Sequence, residues 1–273
     1  MQDILEVNLA ARMVAGNLAN KLGYLFMYYH AHNFTGDINL NLFWHPKELL
    51  MRTHYEDVES WIEKHDYLTR KLNIAGDINI SHYVTKQKSN LEIYKADEII
   101  KLNGVYIRKT YKLPNKPIFK TNLQTQKNKV CFWRYDKNKL VYHRDPNYIE
   151  VWYKENTYTA DEWCKIYDFL NENYNVVELE YRTPIREVFY HLSTCEFVVG
   201  YGGMYHVLSD YLDNPMISIL NPSRLWSKTK HTLEYEHVCL PTIDEITDLD
   251  YLKSLLHKAK SKTRLAQSGL TEW

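Results

Sequence analysis

A glycine-rich segment in the second half of the chain combines residue types that can hold a phosphate. In the run Glu196–His206, the apolar residues Phe197–Val199 stop at Gly200, and Gly202 and Gly203 follow. A helical pattern comes next, so the run predicts a buried strand, a tight turn and a helix start. Backbone N–H groups at a helix N-terminus can bind an anion, and glycine allows a close approach. The segment therefore predicts a phosphate site, with an ordinary strand-to-helix turn as the alternative.

Cationic side chains after an earlier strand pattern supply the second part of such a site. Residues 129–135 predict a strand, and Arg134 stands at its end. The polar loop that follows carries three further cations: Lys137, Lys139 and Arg144. Together with the imidazole of His206, these groups can contact a phosphate without a metal ion.

Metal-binding patterns have structural explanations here. Asp248 and Asp250 form an Asp-x-Asp pattern, but they follow Thr247 at a predicted helix start, where capping and the helix dipole favour acidic residues. The four cysteines lack the paired spacing of a zinc site, and we expect them to be reduced: Cys131, Cys164, Cys195 and Cys239. The sequence therefore predicts neither a metal nor a bound cofactor.

The composition is that of an ordinary globular protein of 273 residues, with 45% hydrophobic and 25% charged residues. Lys plus Arg and Asp plus Glu both number 34, so no bulk charge attracts nucleic acid or a membrane surface. Neither a signal-peptide pattern nor an apolar run of membrane-spanning length is evident. These features predict a cytoplasmic protein.

The first half alternates between strand and helix patterns. Residues 4–9 predict a strand, and a helix follows with Asn17 as its N-cap. The phrase Gly36–Asn39 opens a second strand, and residues 55–72 predict a second helix. The same four-residue phrase recurs at Gly76–Asn79 before a third strand pattern, which suggests repeated α/β units.

The second half repeats the alternation more clearly. Strand patterns cover 129–135, 176–179, 197–199 and 216–220, and helix starts are predicted at Thr159 with the capping-box partner Glu162, at Thr183–Pro184 and at Thr247. Residues 113–129 are polar and predict a linker. We therefore predict two Rossmann-like α/β domains, residues 1–120 and 121–273, facing a central cleft. The loops that begin at Arg134 and Tyr201 should face the same crevice, because both leave strand carboxyl ends.

The second half resembles the donor domain of GT-B glycosyltransferases, and especially the heptosyltransferase-like enzymes. The resemblance lies in a helix at Ile185–Leu192, the glycine turn with its following His206, and an apolar strand after a proline at Asn214–Ile219. Gly16–Asn20 resembles the glycine/asparagine loop of α-1,2- and α-1,6-fucosyltransferase-like proteins, whose basic segment is similar to Arg134–Asp136. Two departures are Tyr-Gly-Gly where heptosyltransferases have Asp-Ser-Gly, and the lack of an acidic base in the first loop.

The resemblance implies a metal-independent glycosyltransferase that uses a nucleotide-sugar, such as a UDP- or GDP-sugar, as co-substrate. It implies a donor site made of Arg134, Lys139, Arg144, Tyr201, Gly202, Gly203, Met204 and His206. It places the acceptor on the first half, near Gly16, Asn17 and Asn20. Glu187 or Glu196 is a candidate to bind ribose hydroxyls.

The catalytic base has no distinctive spacing. Glu6 on the first strand, Asp37 at the start of the second and His30 are the weak candidates, and three other histidines are possible: His32, His45 and His54. Histidine can act as a base near neutral pH. The base therefore stays open at this point.

The acceptor also stays open. A Lys-, Asn- and Tyr-rich enzyme of this size is similar to phage enzymes that glycosylate hydroxymethylated bases in DNA, which flip the base out of the helix. Side chains for such contacts are Trp44, His45, Lys47, Arg52, Trp133 and Arg134. The zero net charge argues against DNA and leaves a glycan or lipid-linked sugar as the rival acceptor. Two hypotheses outside the transferases are a nucleotide-sugar epimerase and a non-catalytic sugar- or nucleic-acid-binding protein.

Overall fold

The fold is that of a computed structural model, which describes eleven segments of the chain. These are residues 4–11, 15–46, 58–85, 91–95, 98–101, 116–134, 159–180, 183–200, 204–218, 238–239 and 243–257. They form two compact units, each with its own five-stranded sheet. The N-terminal unit comprises residues 1–120 and 230–233, and the C-terminal unit comprises 121–229 and 234–273. Within the described segments, no helix is both long and apolar enough to cross a membrane.

The described residues of the N-terminal unit form five strands and two helices. In chain order these are β1 Ile4–Ala11, α1 Ala15–Ala31, β2 Asp37–Trp44, α2 Val58–Arg70, β3 Ile78–Val84, β4 Leu91–Lys95 and β5 Glu98–Lys101. The strand order across the sheet is β3-β2-β1-β4-β5. Strands β1, β2 and β3 are parallel to one another, as predicted. At one edge of the sheet, β4 pairs antiparallel with β1, and β5 pairs antiparallel with β4.

One face of this sheet carries the hydrophobic core of the unit. Alternate residues of β1 and β2 are buried, and the register partners Val7 and Leu40 are fully so. Right-handed crossovers from β1 to β2 and from β2 to β3 place α1 and α2 on the same face. The buried Trp44 ring of β2 contacts the His65 ring of α2, so that face is the apolar one. Helical spacing in the sequence predicts an inward apolar stripe on α1, and its members are all buried: Leu18, Leu22, Leu25, Phe26 and Tyr29.

The repeated phrase Gly-Asp-Ile-Asn occupies equivalent places in two adjacent strands. Ile38 pairs with Ile78 and Asn39 with Asn79 across β2 and β3. The Tyr29 hydroxyl donates to the Gly36 carbonyl and accepts from the Gly76 N–H, so it connects the two copies. The repeat is thus a matched pair of strand starts, which fixes the register of two parallel strands.

The described residues of the C-terminal unit form five parallel strands and five helical segments. Its elements are β6 Lys129–Trp133, α3 Ala160–Asn173, β7 Asn175–Glu178, α4 Ile185–Thr194, β8 Phe197–Gly200, α5 Met204–Tyr211, β9 Met216–Ser218, β10 Val238–Cys239 and α6 Ile243–Ile246. Residues 249–257 form a further helical segment. The strand order is β10-β9-β8-β6-β7, and all four pairings are parallel. The prediction of an α/β protein with parallel sheets is therefore confirmed.

Every residue of β6 and β8 is buried, because helices cover both faces of this sheet. Val130, Phe132 and Phe197 form one core layer with α3 and the 249–257 segment. The helical spacing of Trp163, Ile166, Tyr167 and Leu170 predicts the inward side of α3. Three of them are buried, and Tyr167 is partly buried against the same core. Helices α4 and α5 contact each other, and α4 contacts β6. Buried strands of this kind are typical of doubly wound sheets.

The helix starts agree with the sequence only in part. The capping box of Thr159 and Glu162 is confirmed. The N-cap prediction for Asn17 is wrong, since α1 already begins at Ala15. Pro184 is the N-cap of α4 rather than its first helical residue. The helical segment that begins at residue 249 is predicted from the sequence to start at Thr247, but its N-cap is Asp248, whose carboxylate accepts a hydrogen bond from the Tyr251 N–H. The Thr247 hydroxyl instead donates to the Ile243 carbonyl.

Candidate functional site

The C-terminal unit has a topological switch point between β6 and β8. Strand β7, which follows β6 in the chain, pairs with one edge of β6. The next strand, β8, pairs with the other edge of β6. Loops that leave the carboxyl ends of two such strands diverge and open a crevice, which is where open α/β sheets bind ligands. Arg134 follows β6 directly, and α5 begins at Met204 shortly after β8 ends at Gly200. The predicted donor segments therefore leave the two strands that flank the switch point.

The floor of this edge is a close contact between the two strands. Trp133 and Gly200 are register partners, and both are buried. A Cβ atom at Gly200 would lie 2.3 Å from Cε2 of the Trp133 indole, so only glycine leaves room for the ring. The indole also contacts the Tyr205 ring edge to face, with 5.5 Å between centroids. Gly200 thus serves side-chain packing as well as the turn that the sequence predicts.

Tyr205 connects the first turn of α5 to the neighbouring strand end. Its hydroxyl donates to the Glu180 carbonyl, two residues beyond β7. The Glu180 N–H in turn donates to the Thr183 hydroxyl, which precedes α4. Trp133, Gly200, Tyr205 and Glu180 therefore brace the carboxyl ends of β6, β8 and β7 against one another.

Arg134 forms a two-point ion pair with Glu178, the last residue of β7. Arg134 Nε lies 2.9 Å from Glu178 Oε1, and Nη2 lies 3.4 Å from Oε2. The guanidinium also contacts Cys164 Sγ and lies over the Tyr167 ring, both on α3. Partial burial lowers the pKa of the guanidinium, but the charge and hydrogen bonds of Glu178 outweigh it and raise the pKa overall. Arg134 is thus a fixed cation at the crevice edge, with 29% of its side chain exposed.

His206 lies inside the unit rather than on its surface. Its side chain is 3% exposed on α5, and burial lowers the pKa of the imidazole to about 4. At neutral pH the ring is therefore uncharged. A neutral imidazole can still exchange a hydrogen bond with a ligand, but it adds no positive charge to a phosphate site. Its predicted donor-site role stays a prediction.

His206 should make folding stability depend on pH. The folded pKa is below the ordinary value of 6.5, so the unfolded chain binds more protons between pH 6.5 and 4 and stability falls as pH falls through that window. Lowering the pH from 7 to 5 should cost about 2 kcal/mol through this residue. Urea unfolding of wild type and His206→Gln at both pH values measures it. The variant should lose that part of the pH dependence, whereas His257→Gln, at an exposed site, should keep it.

The other predicted donor residues are only partly described. Six of them lie outside the described residues: Lys137, Lys139, Arg144, Tyr201, Gly202 and Gly203. Met204 is half-buried at the start of α5. Of the two ribose candidates, Glu187 is exposed in the first turn of α4. Glu196 accepts from the Asn128 N–H before β6, at the opposite edge of the sheet from the switch-point crevice.

In the N-terminal unit, near the predicted acceptor residues, the structure shows a buried residue that the sequence pattern does not single out. The Lys21 side chain is buried in α1, and its ammonium donates to the Ala10 carbonyl at 2.7 Å, near the carboxyl end of β1. Gly16 and Asn17 lie in the first turn of the same helix. Asn20 Oδ1 is buried without a hydrogen-bond partner among the described residues. The sequence feature that could have identified Lys21 is its position between apolar residues of α1 that face the core.

The three weak catalytic candidates lie away from the carboxyl ends of β1 and β2. Glu6 is the third residue of β1 and accepts a hydrogen bond from the Asn39 amide. Asp37 is the first residue of β2, and its carboxylate accepts from the Asp77 N–H. His30 is in the last turn of α1, where Nε2 contacts the Asn73 carbonyl at 3.0 Å and burial lowers the imidazole pKa. Their catalytic roles stay predictions.

The aromatic residues predicted to stack on a flipped base are buried. Trp44 is 2% exposed and donates through Nε1 to His82 Nδ1, while His82 Nε2 contacts the Asp66 carboxylate. Trp133 is 3% exposed. Neither indole presents an open face to a base. Lys47, Arg52 and His54 lie outside the described residues. Within the described part, no group of three or more His, Cys, Asp or Glu side chains is arranged to hold a metal ion.

Comparison with known proteins finds similarity only at the level of solved structures. No protein-family model matches the chain, and no curated protein matches it. E. coli heptosyltransferase WaaC with ADP has 13% sequence identity and a TM-score of 0.39, with 95% of this chain and 99% of that chain covered. The same enzyme with ADP-2-deoxy-2-fluoro heptose has 12% identity and a TM-score of 0.40, with 93% and 99% covered. Identities and TM-scores of this size describe a loose overall likeness.

Proposed function

We propose that the protein is a GT-B-like glycosyltransferase that moves a sugar from a nucleotide-sugar donor to an acceptor hydroxyl. The donor binds the C-terminal unit at the carboxyl ends of β6 and β8, and the acceptor binds the N-terminal unit. The resemblance of the glycine turn and its flanking elements to heptosyltransferase-like donor domains supports this assignment.

The observation that carries the proposal is the position of the switch point. The two segments that the sequence marks for phosphate binding, at Arg134 and at residues 200–206, leave adjacent parallel strands. A doubly wound sheet binds its ligand at that position whatever the chemistry of the ligand. Cations and helix N-terminal amides favour an anionic ligand. A nucleoside diphosphate is such a ligand and can contact both kinds of group.

The reaction requires the acceptor oxygen to bond to the anomeric carbon while the bond from that carbon to the diphosphate oxygen breaks. The hydroxyl proton passes to a base, for which no residue is assigned, and a nucleoside diphosphate leaves. The leaving group gains negative charge, which the first amides of α5 and Arg134 stabilise. The brace of Trp133 and Tyr205 holds that helix start in place, so the amides need not reorganise during the reaction.

Arg134 keeps Glu178 as its partner when the donor is bound. The ion pair holds one edge of the guanidinium and leaves part of the group exposed. Because the group is already immobilised, less side-chain entropy is lost when a phosphate binds its remaining N–H groups. Glu178 also reduces the local positive potential, so its replacement by Gln should tighten binding of a diphosphate.

Turnover of a nucleotide-sugar tests the proposal. Wild type is incubated with UDP-, GDP-, ADP- and CMP-sugars, with neutral glycans or duplex DNA containing 5-hydroxymethylcytosine as acceptor, and release of the nucleotide is measured. We expect release with one donor and with a glycan acceptor. Arg134→Ala should slow it at least tenfold through a loss of about 1.4 kcal/mol, while Lys253→Ala, at an exposed residue of the 249–257 segment, should not.

Three results bear on the proposal in different ways. Nucleotide release only with the DNA acceptor would support the transferase activity but would identify DNA, and not a glycan, as the acceptor. Release that Arg134→Ala leaves unchanged would remove this residue from the donor site. No release with any donor and acceptor would contradict the transferase itself.

A further inference from the structure

The sheet of the N-terminal unit has one face that differs from every other face in the described structure. Along β1 and β2, buried apolar residues alternate with exposed or half-buried ones, whereas β6 and β8 are buried throughout. The described helices α1 and α2 both lie on the apolar side. Parallel sheets are usually covered on both faces. No described helix packs on the outward side of β1 to β5, which is a largely polar surface, and we call it the open sheet face.

The strand register arranges the open sheet face in two five-strand rows. The first row, read from β3 to β5, is Asn79, Asn39, Glu6, Tyr94 and Ile99. The second row is Ser81, Asn41, Asn8, Glu92 and Lys101. Neighbouring positions in a row are about 4.8 Å apart and the rows about 6.6 Å apart. The face is thus a regular grid of amides, carboxylates and hydroxyls, with the exposed Ile99 and Lys101 on the edge strand β5.

Lateral hydrogen bonds fix the side chains of this grid. The Asn79 amide donates to Asn39 Oδ1 at 3.1 Å, and the Asn39 amide donates to the Glu6 carboxylate. In the second row the Asn41 amide donates to Asn8 Oδ1 at 3.0 Å. An asparagine amide has two donor hydrogens and two acceptor lone pairs, so each retains capacity beyond these bonds. The polar groups are therefore held in place before any ligand binds.

An aromatic pair lies at the carboxyl end of the same face. Phe43 and Tyr83 are register partners on β2 and β3, and their rings stack with 5.2 Å between centroids and 23° between planes. Tyr83 is 47% exposed. An exposed aromatic ring beside amides and carboxylates suits a ligand with both C–H faces and hydroxyl groups, which is the chemistry of a sugar ring.

The charge of the face selects against anionic ligands. Glu6 and Glu92 lie within the rows, and Lys101 is the one cation of these ten positions. Lys101 lies 3.5 Å from the Glu92 carboxylate, so its charge is already offset. The excess negative charge repels nucleic acids and phosphorylated or carboxylated polymers. A neutral polymer meets no such penalty.

We infer that the open sheet face binds a neutral, hydroxyl-rich glycan chain. Hydroxyls of successive sugars pair with the amide and carboxylate rows, and one sugar stacks on Tyr83. The grid lies along the sheet face of β1 to β5 and so does not include the carboxyl edge of β6 and β8. As a binding surface it stands independently; only the identification of the glycan as the acceptor chain rests on the proposed function.

Affinity electrophoresis tests this inference with neutral and anionic polymers. Native gels contain dextran, laminarin or soluble starch, with heparin, alginate and duplex DNA as the anionic set. We expect at least one neutral polysaccharide to retard wild type, and Tyr83→Ala and Asn79→Ala to weaken binding about tenfold. Both positions are exposed on the outer strand β3, so folding should survive. Leu123→Ala, at an equally exposed residue outside the N-terminal sheet, is the matched control and should bind as wild type does.

The inference would be overturned if no neutral polysaccharide retarded the protein, or if both variants bound as tightly as wild type. Stronger binding of heparin, alginate or DNA than of the neutral polysaccharides would also overturn it. A thermal-shift titration of nucleoside diphosphates separates this result from the donor site. Tyr83→Ala and Asn79→Ala should keep the nucleotide response of wild type. Glycan binding without any nucleotide response would retain the surface and contradict the proposed transfer reaction.

Discussion

Gly76→Ala should destabilise the N-terminal unit by about 3 kcal/mol. An added Cβ would lie 2.0 Å from the Gly36 carbonyl oxygen and 2.5 Å from its carbon. Both atoms belong to the backbone at the start of β2, so a side-chain rotation cannot relieve the overlap. The Tyr29 hydroxyl, which joins Gly36 and Gly76, would lose one or both of its bonds as the strands separate.

Equilibrium urea unfolding of wild type and Gly76→Ala measures this loss, with circular dichroism at pH 7 as the signal. Ser81→Ala is the control on the same strand, because Ser81 is exposed and a smaller side chain fits there. The control should change the free energy of unfolding by less than about 0.5 kcal/mol. An alanine at residue 76 with wild-type stability would contradict the close pairing of the two repeated phrases.

Gly200→Ala should reduce both folding stability and nucleotide affinity. The new Cβ would lie 2.3 to 2.7 Å from three atoms of the Trp133 indole, and that ring is buried. The rigid ring must tilt against Tyr205, which disturbs the brace that holds the first turn of α5. We expect a loss of about 2 kcal/mol in the free energy of unfolding, with weaker binding at the start of α5.

A double-mutant cycle isolates the contact. Trp133→Leu removes the ring that the new Cβ meets, so Gly200→Ala should cost at least about 1 kcal/mol less in that background than in wild type. Unfolding free energies are measured for wild type, both single variants and the double variant. Additive losses would show that the alanine acts on something other than the indole.

Helix stripes and strand alternation made most elements of both units predictable, but not β5, β10 or the short helix α6. Residues of α1 and α3 at helical spacing are buried because the amphipathic pattern has one apolar side to cover. Alternation in β1 and β2 corresponds to burial of every second residue, because successive side chains of a strand lie on opposite faces of the sheet. The repeated phrase was visible in the sequence, but its function as a register match depended on the pairing of β2 with β3.

Cap positions were less predictable, since several polar residues near a helix start compete for the same role. Asn17 and Thr247 both have suitable side chains, yet α1 begins two residues before Asn17 and Asp248 takes the bond that Thr247 was expected to receive. Such choices depend on where the preceding chain enters the helix, which local sequence does not determine.

Side-chain partners at the candidate site could not be read from the sequence. Arg134 was identified as a cation at a strand end, but its pairing with Glu178 requires that β6 and β7 be adjacent and parallel. His206 was identified from its spacing to the glycine turn, while its burial follows from the packing of α5 within the unit. Lys21 was missed because a lysine within a helix usually points to solvent.

Amide hydrogen–deuterium exchange with a bound nucleoside diphosphate tests the central claim most directly. The nucleotide that gives the largest thermal shift is added at saturation, and exchange is compared with that of the free protein. We predict slower exchange around Arg134 and at residues 204–207, because ligand contacts at the β6–β8 switch point would protect these amides. Protection confined to residues 1–120, or no binding by any nucleoside diphosphate, would contradict a donor site in the C-terminal unit.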